Sequence, residues 1–230
     1  MRVLMNFLPI FLATKNRRVL VVGDGQMADA KCRAVLKTQA EVVVFAENPS
    51  AEALAWAADD DITLCVGLPE LADLSGVALV YAAHADDEVN DLVASLARTQ
   101  GALVNVLDRT DACDFITPAI VDRDPVIVAI GTEGAAPVLA RQIKADLESS
   151  LSPELGRLAR YANAFRERAR QLPEGLARRR FWKAFFSTDR PAGTASASET
   201  AEQLEALLAQ HLGLDKDPGR VTFVGAGPGD

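Results

Sequence analysis

Residues 19–28, Val19-Leu20-Val21-Val22-Gly23-Asp24-Gly25-Gln26-Met27-Ala28, read as a buried strand entering a G-x-G-x-x-A turn that opens a helix. Such a turn handles the pyrophosphate of a dinucleotide. Gly23 permits the tight turn, Gly25 lets backbone N–H groups approach the phosphates, and Ala28 keeps the helix close to the sheet. A phosphate then sits on the helix N-terminus. A second apolar run, Val42 to Ala46, ends at Glu47, about 20 residues past the last motif glycine, where the dinucleotide fingerprint places its acidic residue. A carboxylate there accepts hydrogen bonds from an adenosine ribose and repels a 2′-phosphate, which favours NAD over NADP. The plainer alternative is a glycine turn in a nucleotide-free α/β sheet.

The elements that must position these residues follow from hydrophobic pattern. Short β-branched runs alternate with helical segments, as in a parallel sheet covered by helices. Strands are expected at Arg18 to Val22, Glu41 to Ala46, Ile62 to Val66, Val77 to Tyr81 and Leu103 to Val106, with helices at Gln26 to Thr38, Ala51 to Ala58 and Asp87 to Thr99. Ligands in such sheets bind beyond the strand carboxyl ends. Those ends carry Gly23-Asp24-Gly25, Glu47-Asn48, Ala82-Ala83-His84 and Asn105 to Asp108. A further strand, Pro125 to Ile130, leads through Gly131 to Pro137 into a helix from Val138 to about Ser150, with Pro137 suited to its first turn. Beyond Pro153 the pattern turns helical: Leu155, Leu158, Tyr161, Ala162 and Phe165 share one face, and a second helix carries Phe181, Trp182, Phe185 and Phe186. Ser187 to Thr200 reads as a loose connection, Ala201 to Leu212 as an amphipathic helix and Asp215 to Gly219 as a linker.

Composition bounds the functions available. At 230 residues, with 49% hydrophobic content and 24% charge, the chain suits one or two soluble globular domains. A net charge of −8 argues against a nucleic-acid or acidic-membrane binder, which would carry a basic footprint. The charge is unevenly spread, however: Leu155 to Arg190 holds ten basic residues against three acids, which suits an anionic small molecule or, more plainly, a solvated helical face. Cys32, Cys65 and Cys113 lack C-x-x-C spacing, and His84 and His211 lie far apart, so no structural metal site is expected and a reducing cytoplasm is. Val3 to Ala13 is apolar but interrupted by Pro9, and is expected to pack as an edge strand or an extended arm; no run reaches the roughly 20 apolar residues of a membrane span. The last ten residues, Val221 to Asp230, look like a strand and glycine-rich turn at the threshold of a further domain.

With these motifs in view, the chain resembles the N-terminal part of the siroheme synthases. The resemblance runs from Leu8-Pro9-Ile10-Phe11 through Val21-Val22-Gly23-x-Gly25, Asn105-Val106-Leu107-Asp108, Phe115-Ile116-x-Pro118, Asp122-Arg123, Pro137-Val138-Leu139-Ala140-Arg141 and Arg179-Arg180-Phe181-Trp182. The terminal Val224-Gly225-Ala226-Gly227-Pro228-Gly229-Asp230 is similar to the opening of the uroporphyrinogen III methyltransferase domain, so the chain is expected to stop at that domain's first loop.

The resemblance implies a Rossmann-like NAD-binding domain (1–112), a dimerisation segment (113–150), a small helical domain (151–217) and a linker with the first methyltransferase strand (218–230). It implies a cytoplasmic homodimer that dehydrogenates precorrin-2 to sirohydrochlorin with NAD, then inserts ferrous iron to give siroheme. The substrate is an anionic tetrapyrrole whose carboxylates the Arg-rich half would pair, and whose own nitrogens would hold the iron. By motif, Asp108 matches the catalytic aspartate, accepting a proton as hydride departs or pyrrole protons during metal insertion. Gln26, Met27, Glu47 and Asn48 match NAD contacts, Asp86 and Asn90 line the site, and His84 is a cofactor-edge residue rather than a base. Two departures stand out. Asp24 replaces a glycine of the turn and must point away from the phosphates; Glu133, in the loop 131–136, adds negative charge beside a polyanion site. The alternatives are a non-catalytic NAD-binding dimerisation module, or a dehydrogenase of another anionic metabolite.

Overall fold

The computed structural model describes residues 5–187 and 197–214. They form two compact units, Met1–Ala119 with Gly131–Ala140, and Ile120–Ile130 with Arg141–Asp230. The expected residues 215–230 lie outside the described part.

The first unit is built on five parallel strands, β1 (Arg18–Val22), β2 (Glu41–Ala46), β3 (Thr63–Val66), β4 (Val77–Ala82) and β5 (Leu103–Val106), in the order β3-β2-β1-β4-β5. Helices α1 (Gly25–Val35), α2 (Ala51–Ala58) and α3 (Asp87–Thr99) connect them. The sheet is covered on both faces, so β1 reads as an uninterrupted apolar run with Val19 to Val22 at most 1% exposed. One face packs Leu20, Val22, Val80 and Val104 on Val93 and Ala97 of α3; the other packs Val19, Val21, Val42 and Tyr81 on Ala28, Cys32 and Val35 of α1. The order reverses between β1 and β4, the switch point at which open α/β sheets bind ligands.

Helix α1 stops at Val35, earlier than periodicity suggests, because Thr38 folds back and donates its Oγ1 hydrogen bond to the Val35 carbonyl at 2.7 Å. The N-terminal residues 7–13 form no strand: Leu8 and Phe11 are 77% and 75% exposed, so the extended-arm alternative holds and the edge strand does not.

The second unit combines the hairpin β6 (Ala119–Arg123) and β7 (Val126–Ile130) with helices α4 (Pro137–Ser150), α5 (Leu155–Ala164), α6 (Arg166–Ala169), α7 (Leu176–Ser187) and α8 (Ala197–Leu214). The unit division falls inside α4. Strand β6 escaped the sequence reading because only Val121 of its five residues is buried. Helix α8 begins at Ala197, inside the stretch expected to be a connection. Phe181 and Phe185 of α7 are 0% and 1% exposed and pack with Phe165, Leu172, Leu204 and Leu208, so the aromatic stripe is a core. Gly156 of α5 lies so close to the Arg123 and Asp124 carbonyls that a Cβ would overlap both. Arg123 closes this corner, donating from Nε to the Leu151 carbonyl at 3.0 Å and from Nη2 to that of Glu148 at 2.8 Å, which satisfies the open end of α4.

Candidate dinucleotide site

The carboxyl edge of the parallel sheet gathers the residues of interest. Ladder hydrogen bonds run past the strands and fix the loops that follow: Gly23 N–H to the Phe45 carbonyl (2.9 Å), Ala83 N–H to that of Val22 (2.8 Å) and Leu107 N–H to that of Ala82 (2.9 Å). Gly23 sits at φ +139° with its Cα against the Ala83 carbonyl and the His84 nitrogen, so no side chain fits there. Gly25, the first residue of α1, has φ +74° and a Cβ on it would meet nothing within 4 Å. The first glycine is therefore required by packing and the second leaves the helix N-terminus open. A pyrophosphate fits that opening, where orphan N–H groups and the positive end of the helix dipole favour an anion.

Asp24 is the N-cap residue of α1 but does not cap it; its Oδ1 accepts the Asn48 N–H at 3.1 Å. The carboxylate thus turns toward the β2–α2 loop and away from the open amides, which answers the concern its presence in the turn raises. Ser50 carries the same loop: it accepts the Ala53 N–H at 3.0 Å as the cap of α2 and donates to Asp29 Oδ1 at 2.9 Å. Gln26 and Met27 are exposed on the first turn of α1, and Glu47 and Asn48 are exposed after β2.

His84 is placed by backbone and side-chain contacts. Its N–H and carbonyl are held by Asn90 Oδ1 (3.0 Å) and Nδ2 (2.9 Å), and its Nδ1 accepts the Asp86 N–H at 3.0 Å. That bond leaves Nε2 carrying the proton of the neutral ring, 3.5 Å from Glu47 Oε2. Asn90, 2% exposed, is therefore a clamp on the β4 loop and does not line the site. Asp86 caps α3 by accepting the Glu88 N–H at 2.9 Å. Asp24, Glu47 and His84 have ligand atoms within 4.8 Å of one another, a juxtaposition of three strand ends that sequence spacing concealed when it argued against any metal site. Toward ribose hydroxyls the two carboxylates accept and the His84 Nε2–H donates, and the same three groups are the described residues whose ligand atoms cluster as a cation site would.

Asp108 follows β5 on the same edge, exposed and at φ +55°, a left-handed conformation that Asp and Asn tolerate better than other side chains. Its motif partner Asn105 is 6% exposed and holds the next segment, donating Nδ2 to the Phe115 carbonyl at 3.0 Å. Cys113 packs beneath, accepting the Val106 N–H at 3.1 Å, and burial pushes its thiol above the ordinary range. Burial likewise raises Tyr81, whose ring meets Phe115 edge-on at 5.3 Å. Glu133 also has a partner: its carboxylate accepts the Asn6 N–H at 2.9 Å and Asn6 Nδ2 at 2.7 Å, which turns it toward the N-terminal arm.

The Arg-rich stretch, whose sequence left an anionic partner and a solvated helical face both open, pairs half of its cations with acids. Arg157, Arg160, Arg168, Arg170 and Arg178 pair with Glu154, Asp124, Glu205, Glu167 and Glu174. Among the described residues, Arg166, Arg179, Arg180 and Lys183 form no ion pair and remain the cations open to an anionic ligand.

Strand order, glycine turn and carboxyl-edge acceptors together define a Rossmann-type dinucleotide-binding protein. Comparison with known families agrees: residues 10–119 match the family described as "Putative NAD(P)-binding", and residues 154–212 match the "Sirohaem synthase dimerisation region". The chain is 39% identical to siroheme synthase 1 of Aeromonas hydrophila and 42% identical to siroheme synthase of Methylococcus capsulatus, in each case over 98% of its length. It covers 49% and 48% of those proteins, and so spans about half the length of these curated relatives. Among solved structures, the precorrin-2 dehydrogenase SirC superposes with a TM-score of 0.68 at 26% identity, covering 87% of this chain and 98% of that one. The chain is thus similar to the siroheme synthases over almost its whole length, with both matched regions, the NAD(P)-binding one and the dimerisation one, in the same order. Among the described residues no helix is long and apolar enough to cross a membrane.

Proposed function

We propose that the chain oxidises precorrin-2 to sirohydrochlorin with NAD. The observation that carries this reading is the single sheet edge on which the open glycine turn, the acceptor Glu47 with the His84 Nε2–H beside it, and the exposed Asp108 all stand. The likeness to a precorrin-2 dehydrogenase over 98% of that protein's length supports the same substrate.

The residues divide the work by position. Backbone amides from Gly25 to Met27 take the pyrophosphate, and Glu47 accepts the ribose hydroxyls; with Asp24 beside it, a 2′-phosphate would face two carboxylates, which selects NAD. Bound NAD supplies the hydride acceptor. Asp108 accepts the proton released as hydride leaves the macrocycle, a contribution of the kind worth about 10²–10⁴ in rate. Asn105 ties the end of β5, just before Asp108, to the segment beyond it through the Phe115 carbonyl. Exposed Arg179, Arg180 and Lys183 are suited to macrocycle carboxylates through charge-assisted pairs.

The reading extends to a second step in which ferrous iron, as substrate, enters sirohydrochlorin while Asp108 receives pyrrole protons. It also extends to a cytoplasmic homodimer. The matched dimerisation region and the exposed apolar side chains Leu8, Phe11 and Val138 support self-association. The test is to mix the purified chain anaerobically with precorrin-2 and NAD, follow NADH and the sirohydrochlorin spectrum, then add ferrous iron. NADH formation followed by accelerated conversion to siroheme is expected. NAD binding without NADH would favour the non-catalytic module, and NADH without faster metal insertion would restrict the chain to dehydrogenation.

A further inference from the structure

Asp24, Glu47 and His84 meet from three strand ends, and their clustering by itself suits either a cation or a sugar hydroxyl. The turn after β4 decides between the two. His84 Nδ1 accepts the Asp86 N–H at 3.0 Å, two residues on, the bond by which Asn and Asp close an Asx turn. The lone pair of Nδ1 is thereby used, and the proton of the neutral ring sits on Nε2. A metal takes a ring nitrogen by its lone pair, which Nε2 lacks in this tautomer. Freeing Nε2 would place a proton on Nδ1, directly against the Asp86 N–H.

The Nε2–H is held in place without a closed bond. The His84 side chain is 14% exposed, and Asn90 grips the backbone N–H and carbonyl of the same residue. Glu47 Oε2, 3.5 Å from Nε2, lies beyond the about 3.2 Å of a formed N–H···O bond. Asp24 is already engaged by the Asn48 N–H at 3.1 Å, whereas Glu47 is half-exposed. A donor and an acceptor that stand side by side unjoined are completed by a hydroxyl, which accepts through its oxygen and donates its proton. A deoxy carbon does neither, and a phosphate dianion has no proton for the carboxylate.

We infer that His84 is a specificity-determining residue of the dinucleotide site: its Nε2–H and the Glu47 carboxylate close on one hydroxyl of the adenosine ribose, the imidazole donating and the carboxylate accepting. The inference rests on the NAD reading of the sheet edge. It adds the β4 loop to the ribose contact that the fingerprint assigns to the residue after β2, and it makes the three-residue cluster a reader of hydroxyls and not a cation site.

The tautomer is read without any nucleotide. The chain has two histidines, so imidazole ¹⁵N–¹H correlation spectra of the parent and of His84→Asn assign His84 by difference. An Nε2–H pattern is expected, and an Nδ1–H pattern overturns the inference. Stoichiometric zinc is expected to leave the His84 signals where they are; their displacement would make the cluster a cation site and overturn it as well.

The hydroxyl is read by calorimetry with NAD and with its two analogues lacking the adenosine 2′- or 3′-hydroxyl. Asn at position 84 keeps the Asx-type bond to the Asp86 N–H through its Oδ1 and is too short to present an N–H where Nε2 stands. His84→Asn therefore removes the donor and leaves the turn. It is expected to bind NAD about tenfold more weakly than the parent, the effect of one lost hydrogen bond, while binding one of the deoxy analogues as well as the parent does. Unchanged NAD affinity in His84→Asn overturns the inference. An equal loss for NAD and for both analogues makes His84 a prop for its loop and overturns it too. A parent that binds no NAD defeats the dinucleotide reading and this inference with it, whereas a parent that binds NAD but fails the analogue comparison defeats this inference alone.

Discussion

Gly23 and Gly156 sit at equivalent pressure points of the two units, each against the backbone of another segment, yet they differ in what demands glycine. Gly23 has φ +139° as well as a carbonyl in the way of any Cβ. Gly156 has ordinary helical backbone and is constrained by the Arg123 and Asp124 carbonyls alone. The first constraint belongs to a local turn and shows itself as a motif. The second exists only once a hairpin has folded onto a helix, and no local pattern announces it. The charges divide the same way. In the sheet unit, polar groups from three strand ends converge and leave acceptors exposed, whereas in the helical unit five arginines are tied to acids.

Substitution sharpens the contrast. Gly23→Ala should cost the most, since a strained φ adds about 1–3 kcal/mol to an overpacking cost of about 1–3 kcal/mol; NAD affinity measured by calorimetry should vanish with it. Gly156→Ala carries the overpacking cost alone, about 1–3 kcal/mol. Hydrogen exchange should show lost protection in α5 and the β6–β7 hairpin, and equal loss in β1 and β4 would break the comparison.

Cys32 gives the next effect. It is 1% exposed, and burial first, then Asp29, pushes its thiol from 9.0 to about 12. Between those values the unfolded chain releases this proton and the folded chain keeps it, so stability falls as pH rises from 9, by about 1.4 kcal/mol per pH unit at most. Denaturant titrations at pH 8 and pH 10 should show this alkaline loss in the parent and less of it in Cys32→Ala; identical losses would remove Cys32 as the cause. The smallest change is Ser50→Ala, which removes the α2 cap and the bond to Asp29 for about 1 kcal/mol. Its melting temperature should drop by a few degrees, and an unaltered melt would show the cap to be idle.

What could be read from the residues was whatever is local or carried by a motif. Strand β1, the glycine turn, Glu47 and the place of Asp108 after β5 all belong to that class, since a strand followed by its loop stays together in sequence. Asn90 was misjudged because its role is to hold the backbone of His84, six residues earlier, across a turn. The meeting of Asp24, Glu47 and His84 depends on strand order, which brings β1, β2 and β4 side by side. The pairing within the basic stretch was hidden for a related reason: a count of charges along the chain cannot see Glu205 reaching Arg168 from another helix.

The most direct measurement is NADH formation from precorrin-2 and NAD by the parent and by Asp108→Asn under identical anaerobic conditions, with NAD affinity determined for both. The account predicts turnover by the parent and a loss of at least about a hundredfold in the variant at unchanged NAD affinity. An Asp108→Asn protein that forms NADH at the parent rate would contradict it.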